Sequence, residues 1–232
     1  MLTLYIANKN YSSWSLRPWI LLKQLQIPFD ERLVPFGSMT TPEGFKTFSP
    51  SGQVPCLVHD ELVVWDSFAI VEYIAELNPL AWPQTTHARA WARSAAAEMH
   101  SGFSNIRNIC TMNCGLRVQL NEITPALERE WLRVDEIWRQ GLLKFGGHFL
   151  AGTHFTAVDA FFAPLAFRAQ SYSPRLSVES RAYVDRILSL PHMVDWYNAA
   201  LDEVWRDEAH EREAQAAGEW IVDLRTKQPN PV

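Results

Sequence analysis

The sequence predicts a small α/β domain over residues 1–80 followed by an all-helical domain over residues 87–232. Three observations support this fold class. Short apolar runs typical of strands occur before residue 66, whereas later apolar residues recur at helical three- and four-residue spacing. Residues 78–83 contain two prolines, which stop a helix and stiffen the chain, so this stretch is the predicted linker.

The first elements alternate between strand and helix patterns. Residues 2–6 form an apolar run that predicts a strand, and a polar turn leads into a helical pattern over residues 19–25. Residues 29–34 alternate weakly, which indicates a second strand. The stretch over residues 35–52 is dense in Pro, Gly, Ser and Thr, so we expect a long loop with one short helix.

A hairpin and a helix complete the predicted sheet domain. Two apolar runs, residues 55–59 and 62–65, flank the acidic pair Asp60 and Glu61, and a helical pattern follows over residues 67–77. The order β-α-β and then β-β-α predicts a four-stranded sheet with helices packed against it.

The remainder of the chain contains no clear strand signal and no internal repeat. The tail beyond Asp207 is polar, so we expect a poorly tied extension with one anchor at residues 220–224. Helices are predicted over residues 87–112, 123–144, 157–171, 178–189 and 192–206.

Composition excludes several functional classes. The 232 residues are 47% hydrophobic and 20% charged, which is typical of a globular protein, and the net charge of −5 argues against a nucleic-acid partner. Apolar stretches are interrupted by charge and no basic region precedes one at the N-terminus, so we expect a cytoplasmic protein without a membrane partner. Three cysteines argue against a disulfide framework.

The first candidate site is a serine-rich turn between a strand and a helix. Ser12, Ser13 and Ser15 lie where backbone N–H groups and the helix dipole point to one spot, which favours an anion. A serine that only caps the helix explains the pattern equally well. Arg17 follows in the predicted helix, where a solvated charge is the simplest interpretation.

Two further clusters lie near the ends of the hairpin. Gln53, Val54 and Pro55 precede a strand, and a cis bond here would free the Val54 backbone to pair with an extended peptide. An ordinary trans proline is the alternative. Asp66 and Ser67 begin a helix, where they match the ammonium and carboxylate of an α-amino acid, although a plain helix cap also explains them.

In this order and spacing, the three clusters resemble the N-terminal thioredoxin-like domain of the cytosolic glutathione S-transferases. The serine turn is most similar to the zeta and related bacterial-type serine classes. The resemblance implies the glutathione transferase fold, with glutathione as co-substrate and no metal. It also implies glutathione-binding roles for Gln53, Val54, Pro55, Asp66 and Ser67, and Ser12 as the thiolate-stabilising residue with Ser13 as its rival.

The resemblance further implies an alkyl or aryl transferase of the detoxification type, in which the glutathione thiolate attacks a small hydrophobic electrophile. It also implies a homodimer. Trp14 replaces a cysteine of the zeta pattern, which ranks conjugation above isomerisation. The alternatives are a maleylacetoacetate-type isomerase, a peroxidase, or a glutathione-fold binding protein without turnover.

The helical half contains weaker candidates. Thr156 and Asp159 resemble the family's internal capping motif, so their predicted role is structural. Met99, Phe103 and Arg107 recur at four-residue spacing and are candidates for the electrophile pocket, with core or dimer packing as the alternative.

Cys110 and Cys114 are four residues apart on a predicted helix. This spacing permits a metal pair. Two buried thiols are the favoured interpretation, because no second ligand pair lies near them in the sequence.

Overall fold

A computed structural model describes residues 1–37 and 44–225. Its N-terminal part is a four-stranded mixed sheet in the order β2-β1-β3-β4. Strands β1 and β2 are parallel, while β3 is antiparallel to both β1 and β4. The elements of this part are β1 (Leu2–Ile6), α1 (Ser13–Gln24), β2 (Asp30–Leu33), β3 (Cys56–His59), β4 (Leu62–Trp65) and α2 (Ser67–Leu77).

This strand order determines which segments meet at one end of the strands. Because β3 runs opposite to the other three strands, its first residue lies at the same end of the sheet as the last residues of β1, β2 and β4. The segments that follow β1, β2 and β4 therefore meet the segment that precedes β3. The serine turn, the Val54–Pro55 pair and the Asp66–Ser67 pair all belong to these segments.

Helix α1 connects the two halves of the molecule. Its residues from Leu16 to Leu22 are buried, and it contacts both α2 and the long helix α6. The remaining elements are α3 (Thr86–Ser101), α4 (Ser104–Ile109), β5 (Leu116–Leu120), α5 (Pro125–Phe145), α6 (Ala157–Tyr172), α7 (Val178–Leu188), α8 (Pro191–Asp202), α9 (Glu208–Ala217) and β6 (Gly218–Asp223).

Helix α6 forms the centre of the helical half and is buried along nearly its whole length. Asp159 in its first turn is fully buried and accepts the backbone N–H groups of Thr156 and Leu150, each at 2.9 Å. The Tyr183 hydroxyl donates to the same carboxylate at 3.0 Å. Burial nevertheless raises the pKa of Asp159 to about 6, because desolvation outweighs these hydrogen bonds.

The predicted helix over residues 87–112 is two helices. Gly102 ends α3, where an added Cβ would lie 2.8 Å from the Glu98 carbonyl oxygen, and Phe103 has a positive φ of 61°. The four-residue spacing of the sequence continues across residue 102, but the helix does not. Met99 and Phe103 are buried in the hydrophobic core, which supports the alternative of core packing, and their place in an electrophile pocket stays a prediction.

The expectation of a helical second half without strands is also incomplete. Strands β5 and β6 form an antiparallel pair, and α9 immediately precedes β6. The chain beyond Asp207 is thus fixed as far as residue 223 by the backbone hydrogen bonds between β6 and β5, and not by a single anchor. This arrangement brings α9 back to the N-terminal half of the chain.

Within residues 1–37 and 44–225, no helix is both long and apolar enough to cross a membrane. Cys56, Cys110 and Cys114 are all buried free thiols.

Candidate active site

A cleft of about 820 Å³ lies between this end of the sheet and the helical half. Nine of the residues singled out in the sequence line it, contributed by three segments of the sheet domain and by α4. These are Ser12, Ser13, Trp14, Gln53, Val54, Pro55, Asp66, Ser67 and Arg107. The three sequence clusters therefore share one cavity.

The serine turn lies at the N-terminus of α1. The Ser12 hydroxyl donates to Ser15 Oγ at 2.7 Å, and Ser13 Oγ accepts a hydrogen bond from Arg168 at 3.4 Å. Both Ser12 and Ser13 are nearly buried and line the cleft. Since Ser13 acts as an acceptor here, its own proton remains available to a ligand.

Tyr11 precedes these serines, but its hydroxyl is hydrogen-bonded to α9. Its hydroxyl donates to Glu211 Oε1 at 2.8 Å, and burial, followed by the charge of Glu211, raises the Tyr11 pKa well above its usual range. Tyr11 therefore positions α9 and is poorly suited to lose a proton.

The Val54–Pro55 bond is cis, and both residues line the cleft. Neither the N–H nor the C=O of Val54 has a hydrogen-bond partner among the described residues. A free donor and acceptor on one residue can pair with an extended peptide in the manner of a β-ladder.

Asp66 and Ser67 form the opposite wall, at the N-terminus of α2. Asp66 caps this helix, with its carboxylate accepting the Phe68 N–H at 2.7 Å, and it remains exposed to the cleft. The Ser67 hydroxyl is buried and has no partner within the described part of the chain. A buried hydroxyl without a partner on a cavity wall indicates a ligand-binding position.

Arginines form the helical wall of the cleft. Arg107 of α4 and Arg168 of α6 both line it. Arg168 donates to the backbone carbonyls of Ile106 and Cys110, and burial, assisted by the charge of Arg107, lowers its pKa to about 10. Arg168 therefore keeps its positive charge at neutral pH.

Arg17 is not the solvated charge that its position suggested. It is fully buried, with its guanidinium carbon 4.0 Å from the centre of the Trp14 ring, and does not line the cleft. Burial lowers its pKa. The guanidinium carbon of Arg107 lies 4.6 Å from the centre of the same Trp14 ring, so this ring contacts two guanidinium groups.

The sequence patterns missed the contribution of α9 to this site. His210 and Glu213 line the cleft, and Glu211 on the same helix accepts from Tyr11 and pairs with Arg225. The signal that could have found this helix is Asp207, which accepts the His210 N–H as an N-cap.

Cys110 and Cys114 are both buried, and burial raises the pKa of Cys110 to about 11 and that of Cys114 further. Within the described ranges, no group of three or more His, Cys, Asp or Glu side chains could hold a metal ion. The two cysteines therefore contribute to packing.

Residues 11–77 match the family model of the glutathione S-transferase N-terminal domain, and residues 121–199 match that of the C-terminal domain. The chain is 30% identical to a zeta-class glutathione S-transferase of Euphorbia esula over 166 residues, which cover 70% of this chain and 73% of the relative. It is 26% identical to maleylacetoacetate isomerase of Rattus norvegicus over 180 residues, covering 75% and 81%.

Solved structures share the fold. A glutathione transferase homologue from Burkholderia with bound glutathione superposes with a TM-score of 0.66 at 21% identity, covering 86% of this chain and 97% of that one. A diazinon-metabolising glutathione S-transferase of Bombyx mori gives a TM-score of 0.67 at 19% identity, with the same coverage.

Proposed function

The chain belongs to the glutathione S-transferase family, and on that basis we propose that it binds glutathione in the cleft and activates its thiol as a nucleophile. The observation that carries this proposal is the convergence on one cavity of the Val54 backbone, the buried Ser67 hydroxyl and two serines, where neither Val54 nor the Ser67 hydroxyl has a hydrogen-bond partner within residues 1–37 and 44–225. Each feature taken alone also has an ordinary structural explanation.

The γ-glutamyl end of glutathione fits the α2 wall. Its carboxylate would accept hydrogen bonds from the Ser67 hydroxyl and from the N-terminal N–H groups of α2, and its ammonium would pair with Asp66. The cysteinyl residue would then pair with the Val54 backbone, which directs its sulfur towards the serine turn. Gln53 lines the same stretch of the cleft.

The thiol would lose its proton at the N-terminus of α1. An unperturbed cysteine thiol has a pKa of about 8.5, and a hydroxyl donor together with a helix N-terminus lowers it. We assign the donor role to Ser12, with Ser13 as its rival. Ser12 would have to turn its proton from Ser15 to the sulfur, whereas the Ser13 hydroxyl donates to no acceptor in the described part of the chain.

The second substrate is expected to carry a negative charge near its electrophilic carbon. Arg107 and Arg168 place two cationic groups on the helical wall of the cleft, and Glu213 of α9 lines the same cleft. An apolar aryl halide would use none of this charge, whereas a carboxylate would pair with it. An electrophile that carries a carboxylate is therefore the substrate class that fits this wall.

Two reactions use such a substrate. Addition of the thiolate to an activated double bond forms a C–S bond and moves the π electron pair onto the conjugated carbonyl as an enolate, and a proton from water then gives the conjugate. Alternatively, the enolate rotates about the new C–C single bond, re-forms the double bond and expels the thiolate, which gives the trans isomer and regenerates glutathione. Trp14 favours conjugation. The maleylacetoacetate isomerases among the relatives favour isomerisation as a second candidate.

Product analysis with aromatic halides, peroxides, and cis-enediones with and without a carboxylate tests these proposals. We expect turnover of the carboxylate substrates, with release of conjugate or of the trans isomer distinguishing the two reactions. Glutathione binding without turnover of any substrate would support a binding protein instead.

We also propose that the chain forms a homodimer in the cytoplasm. Apolar side chains are exposed on β4, α2 and the segment after it, including Leu62, Leu77 and Leu80, each about half exposed or more. Since β4 is an edge strand, this surface is open to a second subunit.

A further inference from the structure

Helix α9 closes one end of the cleft and lies beyond residue 199, where the match to the C-terminal family model ends. Glu211 anchors it by accepting from Tyr11 at 2.8 Å and from Asn113 at 3.3 Å, and by pairing with Arg225. With α9 fixed in this way, His210 faces the cleft.

The His210 imidazole is held in a defined orientation. It stacks between the rings of Tyr11 and Phe36, with both ring centroids 5.0 Å away and interplanar angles of 23° and 30°. Its Nδ1 lies 2.6 Å from Asp207 Oδ2. Its Nε2 has no partner among the described residues, although the ring lines the cleft. One ring nitrogen is therefore fixed and the other is available.

Strand order indicates which part of a bound tripeptide meets this nitrogen. Asp66 and Ser67 follow β4 at one edge of the sheet, and Phe36 follows β2 at the other edge. Three strand spacings of about 4.8 Å separate these edges, which is close to the length of an extended tripeptide with a γ-linked first residue. With the γ-glutamyl group at Asp66, the glycyl end therefore reaches Phe36 and His210.

That end of the cleft has little other positive charge. The two arginines of the wall belong to α4 and α6, beside the serine turn. Residues 38–43, which lie outside the described residues, contain no Lys, Arg or His in the sequence. Lys46 is exposed, and its side chain runs along Gly52 without lining the cleft.

We propose that His210 binds the glycyl carboxylate of glutathione through Nε2–H, with Asp207 fixing the ring. This inference rests on the proposed function and extends the glutathione site to the C-terminal segment. Because the Asp207 carboxylate can only accept, Nδ1 carries a proton towards it, and donation from Nε2 as well uses the imidazolium form, which donates from both ring nitrogens. The contact is thus a charge-assisted hydrogen bond.

Calorimetric titration with glutathione and with glutathione amide, in which the glycyl carboxylate is an uncharged carboxamide, tests this contact. The unaltered chain should bind glutathione roughly tenfold more tightly than the amide, as expected for one charge-assisted hydrogen bond. In His210→Phe, which keeps an aromatic ring between Tyr11 and Phe36, the two ligands should bind within about twofold of each other, since the discriminating bond is gone.

Two control variants complete the experiment. His192→Phe alters a histidine that pairs with Asp195 three residues along α8 and does not line the cleft, so full discrimination should remain. Lys46→Met removes the nearby exposed cation and should also retain discrimination. Loss of discrimination in Lys46→Met but not in His210→Phe would overturn the inference.

The ligand comparison distinguishes this inference from the proposed function. Tight glutathione binding by the unaltered chain with equal affinity for the amide would overturn the role of His210 and leave the proposed function intact. Absence of glutathione binding would contradict both. Because the amide is compared on the unaltered chain, the result does not depend on the folding of any variant.

Discussion

At the scale of single residues, Ser12 and Ser13 differ in how their hydroxyl groups are used. Ser12 donates to Ser15, whereas Ser13 accepts from Arg168. Both line the cleft, so local geometry alone does not rank them as thiolate donors.

Replacement of Ser12 by alanine should lower kcat/KM about 100-fold while glutathione affinity changes by less than about twofold, because the lost bond forms to the thiolate. Steady-state kinetics and calorimetric titration measure the two quantities. Ser13→Ala is the matched variant in the same turn. A larger loss in Ser13→Ala than in Ser12→Ala would transfer the role to Ser13.

The second residue-scale prediction concerns Arg168. Arg168→Met should raise the KM of a carboxylate-bearing electrophile at least about tenfold and change that of a neutral one little, because only the former loses an ion pair. Arg168→Lys, which keeps the charge, should recover part of the difference. Equal effects on both substrates would show that Arg168 acts through the fold alone.

Local motifs in the sequence indicated the residues that the sheet domain contributes to the cleft, but they did not indicate Arg168 or His210. Asp66, Ser67 and Pro55 lie in short patterns whose chemistry is readable without the fold. Arg168 and His210 reach the cleft from more than a hundred residues away, and nothing adjacent to either marks it as a site residue. Their contribution depends on how the helices pack.

At the scale of elements, the start of α6 depends on one buried carboxylate. Asp159→Ala would leave the N–H groups of Leu150 and Thr156 without their acceptor, which should lower the free energy of unfolding by about 3 kcal/mol. Chemical denaturation at neutral pH measures this loss. A change below about 0.5 kcal/mol, typical of a surface site, would contradict the assigned role.

The same carboxylate predicts a pH dependence. Burial raises its pKa from 3.8 to about 6, so the folded chain binds this proton more tightly than the unfolded chain. Its contribution to stability is complete below pH 3.8 and is lost as the pH rises through 6. The stability difference between the unaltered chain and Asp159→Ala should therefore grow from pH 7 to pH 5, and a constant difference would contradict the raised pKa.

Helix α9 depends on Glu211 for its position over the cleft. Glu211→Ala removes the acceptor of Tyr11 and one partner of Arg225, so the amides of α9 and of the β5–β6 ladder should exchange with solvent faster. Hydrogen exchange with mass spectrometry measures this, with the amides of α7 as internal reference. Unchanged exchange in α9 would show that β6 alone holds the helix.

The elements that the sequence predicted well are those with local signals. The hairpin has an acidic pair between two apolar runs, α2 has a helical apolar pattern after an Asp66 cap, and α6 begins at the Thr156–Asp159 capping box. The β5–β6 pair joins segments about a hundred residues apart, and β5 alternates over only five residues, so neither strand stands out alone. The break at Gly102 was missed because the apolar spacing continues across it.

At the scale of the whole molecule, the charge of the cleft differs from that of the chain. The net charge is −5, yet Arg107 and Arg168 line the helical wall. The net charge argues against a nucleic-acid partner but gives no indication of a cationic cleft. The positive charge of this wall is thus a local property of the fold.

Assembly is also tested on the whole molecule. Sedimentation at micromolar concentration should give twice the chain mass of 26.6 kDa, because the apolar surface near β4 is covered in a homodimer. A monomer at this concentration would contradict the proposed assembly.

The central claim is that this chain binds glutathione and lowers the pKa of its thiol. Ultraviolet difference absorption of bound glutathione, titrated against pH, measures the thiolate directly. We predict an apparent thiol pKa about two units below the value of roughly 8.5 for a free cysteine thiol. A bound thiol that titrates at the same pH as free glutathione would contradict the claim.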